Sequence, residues 1–385
     1  MKISFNSLKT IRRIKHFKLY SILAIFSLLM LLAGAIFFLS RSQYNLFTKN
    51  PGQSQGWGQR PGGAQDFGGP PQTTKKPRWN GPIPTAPSTK ITYYKGLLGA
   101  TWFYPEEYSG IKPEPDNYLN WGINTVTIGP GFEINSRGET RYPLDYPTYE
   151  DLDARFGELS ELFYKKGIHL GIIVQVHYKE EFVKGNFWGG ETAYIPKGKA
   201  QTPGYFKNYD KIVIDMAKIA EKYHFDFFSP MGEPENVFLD AKMTSDWFQK
   251  ILPQVKKYYH GKIYYKGDLH KGEGSIISFK GVDILGIVNS PVSPRTPLEE
   301  TRTSYVSDIV RGLAWAKRDG VAEVVISEFG HLSDTEMETP ERIGLVLEEA
   351  NKKTNGVFIS EPVPAVRNTT QGKQIYAQMK KWFLK

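Results

Sequence analysis

The chain has 385 residues, 40% of them hydrophobic and 14% aromatic, a composition that is typical of globular proteins and excludes a wholly disordered chain. It contains no cysteine, which excludes disulfides, a cysteine nucleophile and thiolate metal sites. The net charge is +9, but residues 1–90 alone carry +12 and the remaining 295 carry −3, so the main domain shows no basic excess that would indicate a nucleic-acid partner.

Residues 19–39 are the first predicted element, a run of 21 residues without a charge. A helix of about 20 apolar residues crosses a bilayer core, so the run predicts a transmembrane helix. Residues 1–18 carry more Lys and Arg than follow the run, which by the positive-inside tendency makes them a cytoplasmic segment and places the rest outside the cell. A cleaved signal peptide is the alternative, since Ala33, Gly34 and Ala35 resemble a cleavage site, but the run is longer than a signal-peptide core.

Residues 40–90 are rich in Gly, Pro, Gln and Ser and show no apolar periodicity. Such a composition cannot bury a core and predicts a flexible linker. Forty flexible residues span roughly 35 Å, which keeps the following domain near the membrane. A contact of Trp57 and Phe67 with a surface polymer is the alternative interpretation, and the composition favours the solvated linker.

In residues 91–385, apolar strand-like runs alternate with amphipathic helical segments. We predict eight strands, at 96–102, 125–130, 169–177, 225–231, 262–266, 283–288, 323–327 and 356–360. The clearest predicted helices are 148–166, 209–223, 245–259, 304–318, 339–351 and 372–384, and the helix after the fifth strand is weak. Eight such units predict an α/β fold, a (β/α)8 TIM barrel, usually about 250 residues long. An open doubly wound sheet is the alternative, but no glycine-rich phosphate turn follows the first strand.

Residues that follow the strands of such a barrel gather at one face, so the strand endings predict where a site would lie. The endings are polar and aromatic, and the site candidates among them are Trp102, His177, Tyr178, Glu233, Asp268, Asn289 and Glu328. Trp188 lies in the long segment 179–204, which we expect to form one wall of the cleft. Gln175, Lys266 and Glu361 also stand at strand ends.

Glu233 and Glu328 end the fourth and seventh strands in similar contexts, Gly-Glu-Pro and Glu-Phe-Gly. With His177 after the third strand, these motifs resemble the cellulase-like superfamily of retaining glycoside hydrolases, clan A. The resemblance covers residues 91–385 as strand order and is specific at these three short motifs. It implies that Glu233 is the acid/base, Glu328 the nucleophile and His177 a sugar-binding or site-shaping residue.

The chemistry of two carboxylates supports the same interpretation. A retaining mechanism needs two carboxyl groups about 5 to 5.5 Å apart, one ionised to attack and one protonated to release the leaving group. Sugars pack their C–H faces on aromatic rings, and the candidate rings are Trp102, Tyr104, Phe132, Tyr178 and Trp188. Taken singly, each of these rings is more often part of a core than a binding platform.

Three positions depart from the superfamily's pattern. Gly232 stands where an Asn usually contacts the sugar 2-hydroxyl, so the sequence predicts that another amide, Asn236 or Asn289, supplies the contact. Asn289 itself replaces a Tyr or His after the sixth strand, and Glu361 stands in place of a Trp after the eighth. These departures predict either unusual substrate contacts or a loss of turnover.

The sequence therefore predicts a membrane-anchored glycosidase that acts outside the cell on a polysaccharide or surface glycan with retention of configuration. A catalytically silent glycan-binding protein is the second hypothesis. A cell-surface spacer is the third, and it leaves both glutamates unexplained. The scattered histidines and the lack of nucleotide, serine-hydrolase and zinc motifs predict neither a metal nor a cofactor.

Overall fold

The structure, a computed structural model, describes residues 79–103, 113–143, 146–179, 203–269, 273–288, 296–329, 339–360 and 369–384. Within these ranges, no helix is both long and apolar enough to cross a bilayer. The predicted transmembrane segment 19–39 and most of the predicted linker 40–90 lie outside the described residues, so the anchor and the linker stay predictions.

Ten strands are present in the described residues. They are β1 (Tyr94–Phe103), β2 (Thr125–Asn135), β3 (Thr140–Arg141), β4 (His169–Ile173), β5 (Gln175–Lys179), β6 (Phe227–Ser229), β7 (Lys262–Gly267), β8 (Ile284–Val288), β9 (Glu323–Phe329) and β10 (Gly356–Ser360). All but β3 and β5 form a parallel sheet, and β1 pairs with both β2 and β10, which closes the sheet into a barrel. The predicted TIM barrel is confirmed.

Strand β2 extends beyond the barrel at the C-terminal end of the parallel strands. There β2 pairs antiparallel with β3 and parallel with β5. A break at Val174 separates β4 from β5, so the single third strand predicted at 169–177 is two segments. Because β5 pairs with the C-terminal half of β2, an additional small sheet of β2, β3 and β5 lies beyond the barrel on this side.

Eight α-helices lie in the described residues. They are α1 (Pro115–Asn120), α2 (Tyr149–Tyr164), α3 (Pro203–Lys222), α4 (Pro234–Phe238), α5 (Ala241–Val255), α6 (Leu298–Asp319), α7 (Pro340–Lys353) and α8 (Thr370–Phe383). Each of the six predicted helices overlaps one of them. After β7 the described residues contain a 3-10 turn, Glu273–Ser275, and no α-helix, which agrees with the weak signal there.

Threonine side chains begin three of these helices. Thr148, Thr339 and Thr369 each accept a hydrogen bond from a backbone N–H in the first turn of α2, α7 and α8 respectively. Such caps satisfy donors that have no partner within the helix.

The barrel interior is filled by its own apolar cluster, separate from the layer between strands and helices. Its members are Tyr94, Leu98, Ile173, Phe227, Tyr264, Ile284, Val325 and Phe358. Side chains alternate along a strand, so Lys262, Tyr264 and Lys266 of β7 all point inward. Lys262 lies below this cluster and Lys266 above it, at the end where a TIM barrel places its active site.

Candidate active site

A buried lysine joins the two predicted glutamates. The Nζ atom of Lys266 donates a hydrogen bond to Oε1 of Glu233 and another, 2.7 Å long, to Oε2 of Glu328. The Lys266 side chain is only 4% exposed, whereas the carboxylates of Glu233 and Glu328 are 30% and 21% exposed. The ammonium group therefore lies beneath the two carboxylates, which reach the solvent.

This shared donor limits how far apart the carboxylates can be. Their nearest oxygen atoms cannot be separated by more than the sum of the two hydrogen bonds, which is about 5.5 Å. A retaining glycosidase needs about 5 to 5.5 Å between its carboxyl groups, and an inverting one about 6.5 to 9.5 Å. The arrangement is therefore compatible with the shorter separation.

Glu233 is held in an uncommon backbone conformation at the start of α4. Its φ and ψ are 51° and 55°, in the left-handed region, and it precedes Pro234, which further disfavours helical angles. The neighbouring backbone fixes it, because Gly232 N donates to Val174 O at 3.0 Å and Glu233 N to Lys266 O at 2.8 Å. Such strain, on the order of 1–3 kcal/mol, persists where the surroundings enforce it and is concentrated at functional sites.

A register shift directs Glu328 toward the same point. Strict alternation along β9 from the buried, inward Val325 would send residue 328 toward the helices. The pairing of β9 changes register on both sides, between Ile287 and Val288 of β8 and between Val357 and Ile359 of β10. An irregularity of this kind re-aims a side chain, and here it brings the Glu328 carboxylate to Lys266.

Asn236 and Asp268 extend the site on the side of Glu233. The amide Nδ2 of Asn236 donates to Oε2 of Glu233 at 3.2 Å and to Oδ2 of Asp268 at 3.0 Å. The Asn236 amide thus connects Glu233 to Asp268, which is a predicted substrate-binding residue. Its contact with substrate stays a prediction.

A second buried carboxyl group lies behind Glu233. Glu235 is 5% exposed and accepts hydrogen bonds from the Tyr265 hydroxyl, at 2.7 Å, and from the Asp268 backbone N–H. Burial raises the pKa of Glu235 to about 8, against the opposing effect of the Tyr265 hydrogen bond. Burial therefore favours the protonated form of Glu235 more strongly than in an ordinary glutamate.

The space beside Gly232 is occupied by Gln175. A Cβ atom on residue 232 would lie 2.3 Å from Nε2 of Gln175 and 3.0 Å from Cγ2 of Ile173. An Asn at this position would thus compete with the Gln175 amide. Of the two replacements predicted from the sequence, Asn236 is bound to Glu233 and Asn289 lies outside the described residues.

The other predicted site residues are placed only by their backbone or lie outside the described ranges. Trp102 is on β1, and His177 and Tyr178 are on β5, opposite the last residues of β2. Trp188, Tyr104 and Glu361 are not among the described residues. The roles of these six residues stay predictions.

Phe132, one of the rings expected to pack against a sugar, does not line the cleft. Its ring is completely buried and packs edge-to-face on Tyr142, with 5.4 Å between the ring centres. A ring without exposed surface cannot contact a sugar. It therefore belongs to the core.

Sequence reasoning placed Lys266 at a strand end but gave it no role in the site, and it missed Glu235. The signal for Lys266 was available, because a charged residue two positions after the inward Tyr264 has to point into the barrel. Glu235 gave no such signal, since only the turn into α4 directs it away from the cleft and toward Tyr265.

Burial lowers the pKa of a lysine, but the carboxylates of Glu233 and Glu328 outweigh this effect and raise the pKa of Lys266 above its ordinary value. Lys266 therefore carries its positive charge at neutral pH. In the part of the chain that the structure describes, no group of His, Asp and Glu is arranged to hold a metal ion. The described site offers carboxylates, one ammonium group and amides, which are groups for proton transfer and nucleophilic attack.

The sequence matches no protein-family profile and no curated protein. The structure is similar to the GH113 β-mannanase of Alicyclobacillus acidocaldarius, with a TM-score of 0.53, 12% identity and coverage of 76% of this chain and 98% of that one. It is also similar to Cel5A of Thermotoga maritima in complex with cellobiose, with a TM-score of 0.54, 14% identity and coverage of 75% and 97%.

The endo-1,4-β-D-mannanase of Thermotoga petrophila gives a TM-score of 0.54 at 11% identity, with coverage of 77% of this chain and 99% of that one. At these identities the likeness is one of fold. The predicted resemblance to clan A glycoside hydrolases is confirmed at that level.

Proposed function

We propose that residues 91–385 form a glycoside hydrolase that cleaves a polysaccharide or surface glycan with retention of configuration. The observation that carries the proposal is the contact of Glu233 and Glu328 with one ammonium group, which keeps their two contacting oxygen atoms within about 5.5 Å of each other. This value supports a retaining reaction over an inverting one, because an inverting enzyme needs room for a water molecule between its carboxylates and the sugar.

In this proposal Glu328 attacks the anomeric carbon and forms a glycosyl-enzyme. Glu233 gives its proton to the leaving oxygen and then takes a proton from the water that releases the sugar. The structural neighbours named above are mannanases and a protein solved with cellobiose. Oligosaccharides of β-1,4-linked mannose and glucose are therefore the first substrates to test.

The proposal includes a location outside the cell. It rests on the uncharged run 19–39, the basic residues before it and the polar linker 40–90. Protease added to intact cells should release the domain and leave a fragment of the N-terminal segment in the membrane. A domain that stays protected until the cells are lysed would contradict this location.

The test of the reaction uses the full chain in detergent and three alanine variants. Glu328→Ala and Glu233→Ala should each lower hydrolysis of the oligosaccharides by roughly 1,000-fold or more. Glu233→Ala should keep cleavage of an aryl glycoside whose leaving group needs no proton, with formation of the glycosyl-enzyme retained. Glu323→Ala, at the opposite end of β9, is the matched control and should keep full activity. Full activity in either of the first two variants contradicts the assignment.

A catalytically silent glycan-binding protein is the second candidate, and one observation favours it. Both oxygens of Glu233 accept hydrogen bonds from groups that only donate, the Lys266 ammonium and the Asn236 amide. This pattern suits a carboxylate, whereas a glycosidase needs a proton on its acid. Binding on a glycan array without any labelling of Glu328 by a fluorinated mechanism-based sugar would establish this alternative.

A further inference from the structure

One buried ammonium group contacts two partly exposed carboxylates at the mouth of the barrel, although a single carboxylate would be enough to pair a buried charge. Lys266 lies near the end of β7 and contacts both Glu233, in the loop after β6, and Glu328 on β9. Neither contact is needed to fix β7, because its backbone is already paired with β6 and β8. The position of Lys266 therefore needs another explanation.

We propose that Lys266 is a positioning residue that stabilises the negative charge of the site first on Glu328 and then on Glu233 as the reaction proceeds. The inference rests on the proposed retaining reaction. It assigns to Lys266 a function in both half-reactions, without contact to the sugar and without proton transfer.

The movement of charge between the glutamates is the reason. In the first half-reaction a bond forms between Glu328 and the anomeric carbon, the bond to the leaving oxygen breaks, and the proton of Glu233 goes to that oxygen. The negative charge has then moved from Glu328 to Glu233. In the second half-reaction water gives a proton to Glu233, its oxygen bonds to the anomeric carbon, and the ester electrons return to Glu328.

A fixed cation within reach of both carboxylates stabilises each of these charge states without reorganisation. Preorganised groups of this kind contribute most where water is excluded. Lys266 is 4% exposed, and Gly286, its Cα partner on β8, carries no side chain that would compete for the space. Lysine suits the task because its three N–H donors radiate from one nitrogen and reach carboxylates on different strands.

A purely structural salt bridge is the competing explanation. An engineered thiol at position 266 can distinguish this structural role from the proposed role in the reaction. The chain contains no cysteine, so Lys266→Cys introduces a single thiol that 2-bromoethylamine converts into S-aminoethylcysteine, a close mimic of lysine. Lys262→Cys, four residues earlier on β7 and at the other end of the interior, is the matched control. The substrates are aryl β-mannosides and β-glucosides and the corresponding oligosaccharides, assayed with the full chain.

We expect Lys266→Cys to lower kcat by roughly 100- to 1,000-fold, with KM changed less than about threefold, and aminoethylation to restore most of the loss. The loss should be similar for substrates with good and poor leaving groups, because both half-reactions depend on the cation. Lys262→Cys should keep its activity before and after alkylation. An unchanged kcat in Lys266→Cys, or a loss that aminoethylation leaves in place, overturns the proposal.

A second measurement does not depend on turnover. The Nζ atom of Lys266 is followed by NMR after labelling with 15N-lysine and is identified with Lys266→Met. Replacing both glutamates by Gln should bring the titration of Lys266 below that of an ordinary lysine, and each single replacement should move it part of the way, because burial lowers the pKa of Lys266 and each carboxylate raises it. A single replacement that leaves this titration unchanged overturns the inference, whether or not the protein hydrolyses any glycoside. A shifted titration in a protein without hydrolytic activity supports the coupling and contradicts the proposed function alone.

Discussion

Strand β7 places a lysine at each end of the barrel interior, and the two lysines are bound differently. At the end opposite the candidate active site, here called the closed end, Lys262 donates to both oxygens of Glu323, at 2.7 and 2.9 Å, and the Tyr94 hydroxyl donates to Glu323 at 2.9 Å. At the end that carries the candidate active site, here called the open end, Lys266 binds two separate glutamates. Lys262 is 40% exposed and Lys266 4% exposed.

The two arrangements contribute differently to the stability of the fold. One ammonium matched to one carboxylate in contact with water is close to balanced and contributes little to stability. A dry ammonium beneath two carboxylates is unbalanced in charge, and desolvating such groups is costly. The ion pair at the closed end therefore fits a structural role, whereas the open end has the unfavourable charge arrangement that is typical of a functional site.

The largest expected effect comes from removing both carboxylates at the open end. The double variant Glu233→Ala/Glu328→Ala leaves Lys266 buried without either counter-ion, and an uncompensated buried charge costs about 3–5 kcal/mol. Each single variant keeps one partner, so the double variant should lose several kcal/mol more than the sum of the singles. Urea unfolding measures these free energies.

Two control variants test whether the loss of stability comes from the buried charge of Lys266. Adding Lys266→Met to the double variant should recover most of the lost stability, because no charge is then buried. Glu323→Ala exposes only the hydrated Lys262 and should cost about 1 kcal/mol or less. If the losses of stability in the two single variants add up to the loss in the double variant, the charge of Lys266 does not depend on these two carboxylates for its stabilisation.

The next effect in size is a pH dependence caused by Glu235. Burial raises its pKa to about 8 from an ordinary value of 4.5, so the unfolded chain releases this proton at lower pH than the folded protein. The stabilising contribution of the protonated group is complete below about pH 4.5 and is lost as the pH rises toward 8. In Glu235→Gln this loss is absent, so the variant should gain stability relative to the wild type by about 1.4 kcal/mol per pH unit in that window.

Unfolding curves at several pH values between 5 and 9 measure this difference. The gap between variant and wild type should widen up to about pH 8 and stay constant above it. A gap that does not change with pH would show that Glu235 is ionised in the folded protein.

The smallest effect is expected at the closed end. Lys262→Met removes a partly hydrated ion pair and should change the free energy of unfolding by about 1 kcal/mol or less, with hydrolysis unchanged. Thermal unfolding and the oligosaccharide assay test both statements. A loss of activity in Lys262→Met would remove the distinction between the two ends.

Much of the fold could be predicted because its signals are local. Each barrel strand is a short apolar run, and parallel strands buried on both faces need such runs. The weak helix after β7 was also evident, because residues there lack an apolar period. The break at Val174 was not predicted, since apolar residues continue on both sides of it and only pairing with β2 distinguishes β4 from β5.

The barrel and the position of Glu233 and Glu328 at the ends of two strands could be predicted from the sequence, because alternating runs and strand endings are recognised from neighbouring residues. The contact of both carboxylates with Lys266 could be recognised only in the folded protein. That contact depends on a register shift in β9 and a left-handed turn at Glu233, which residues distant in sequence impose. The same holds for Gly232, where the space for a side chain is filled by Gln175 from another strand. Contacts between strands are set by pairing and packing, which no local pattern encodes.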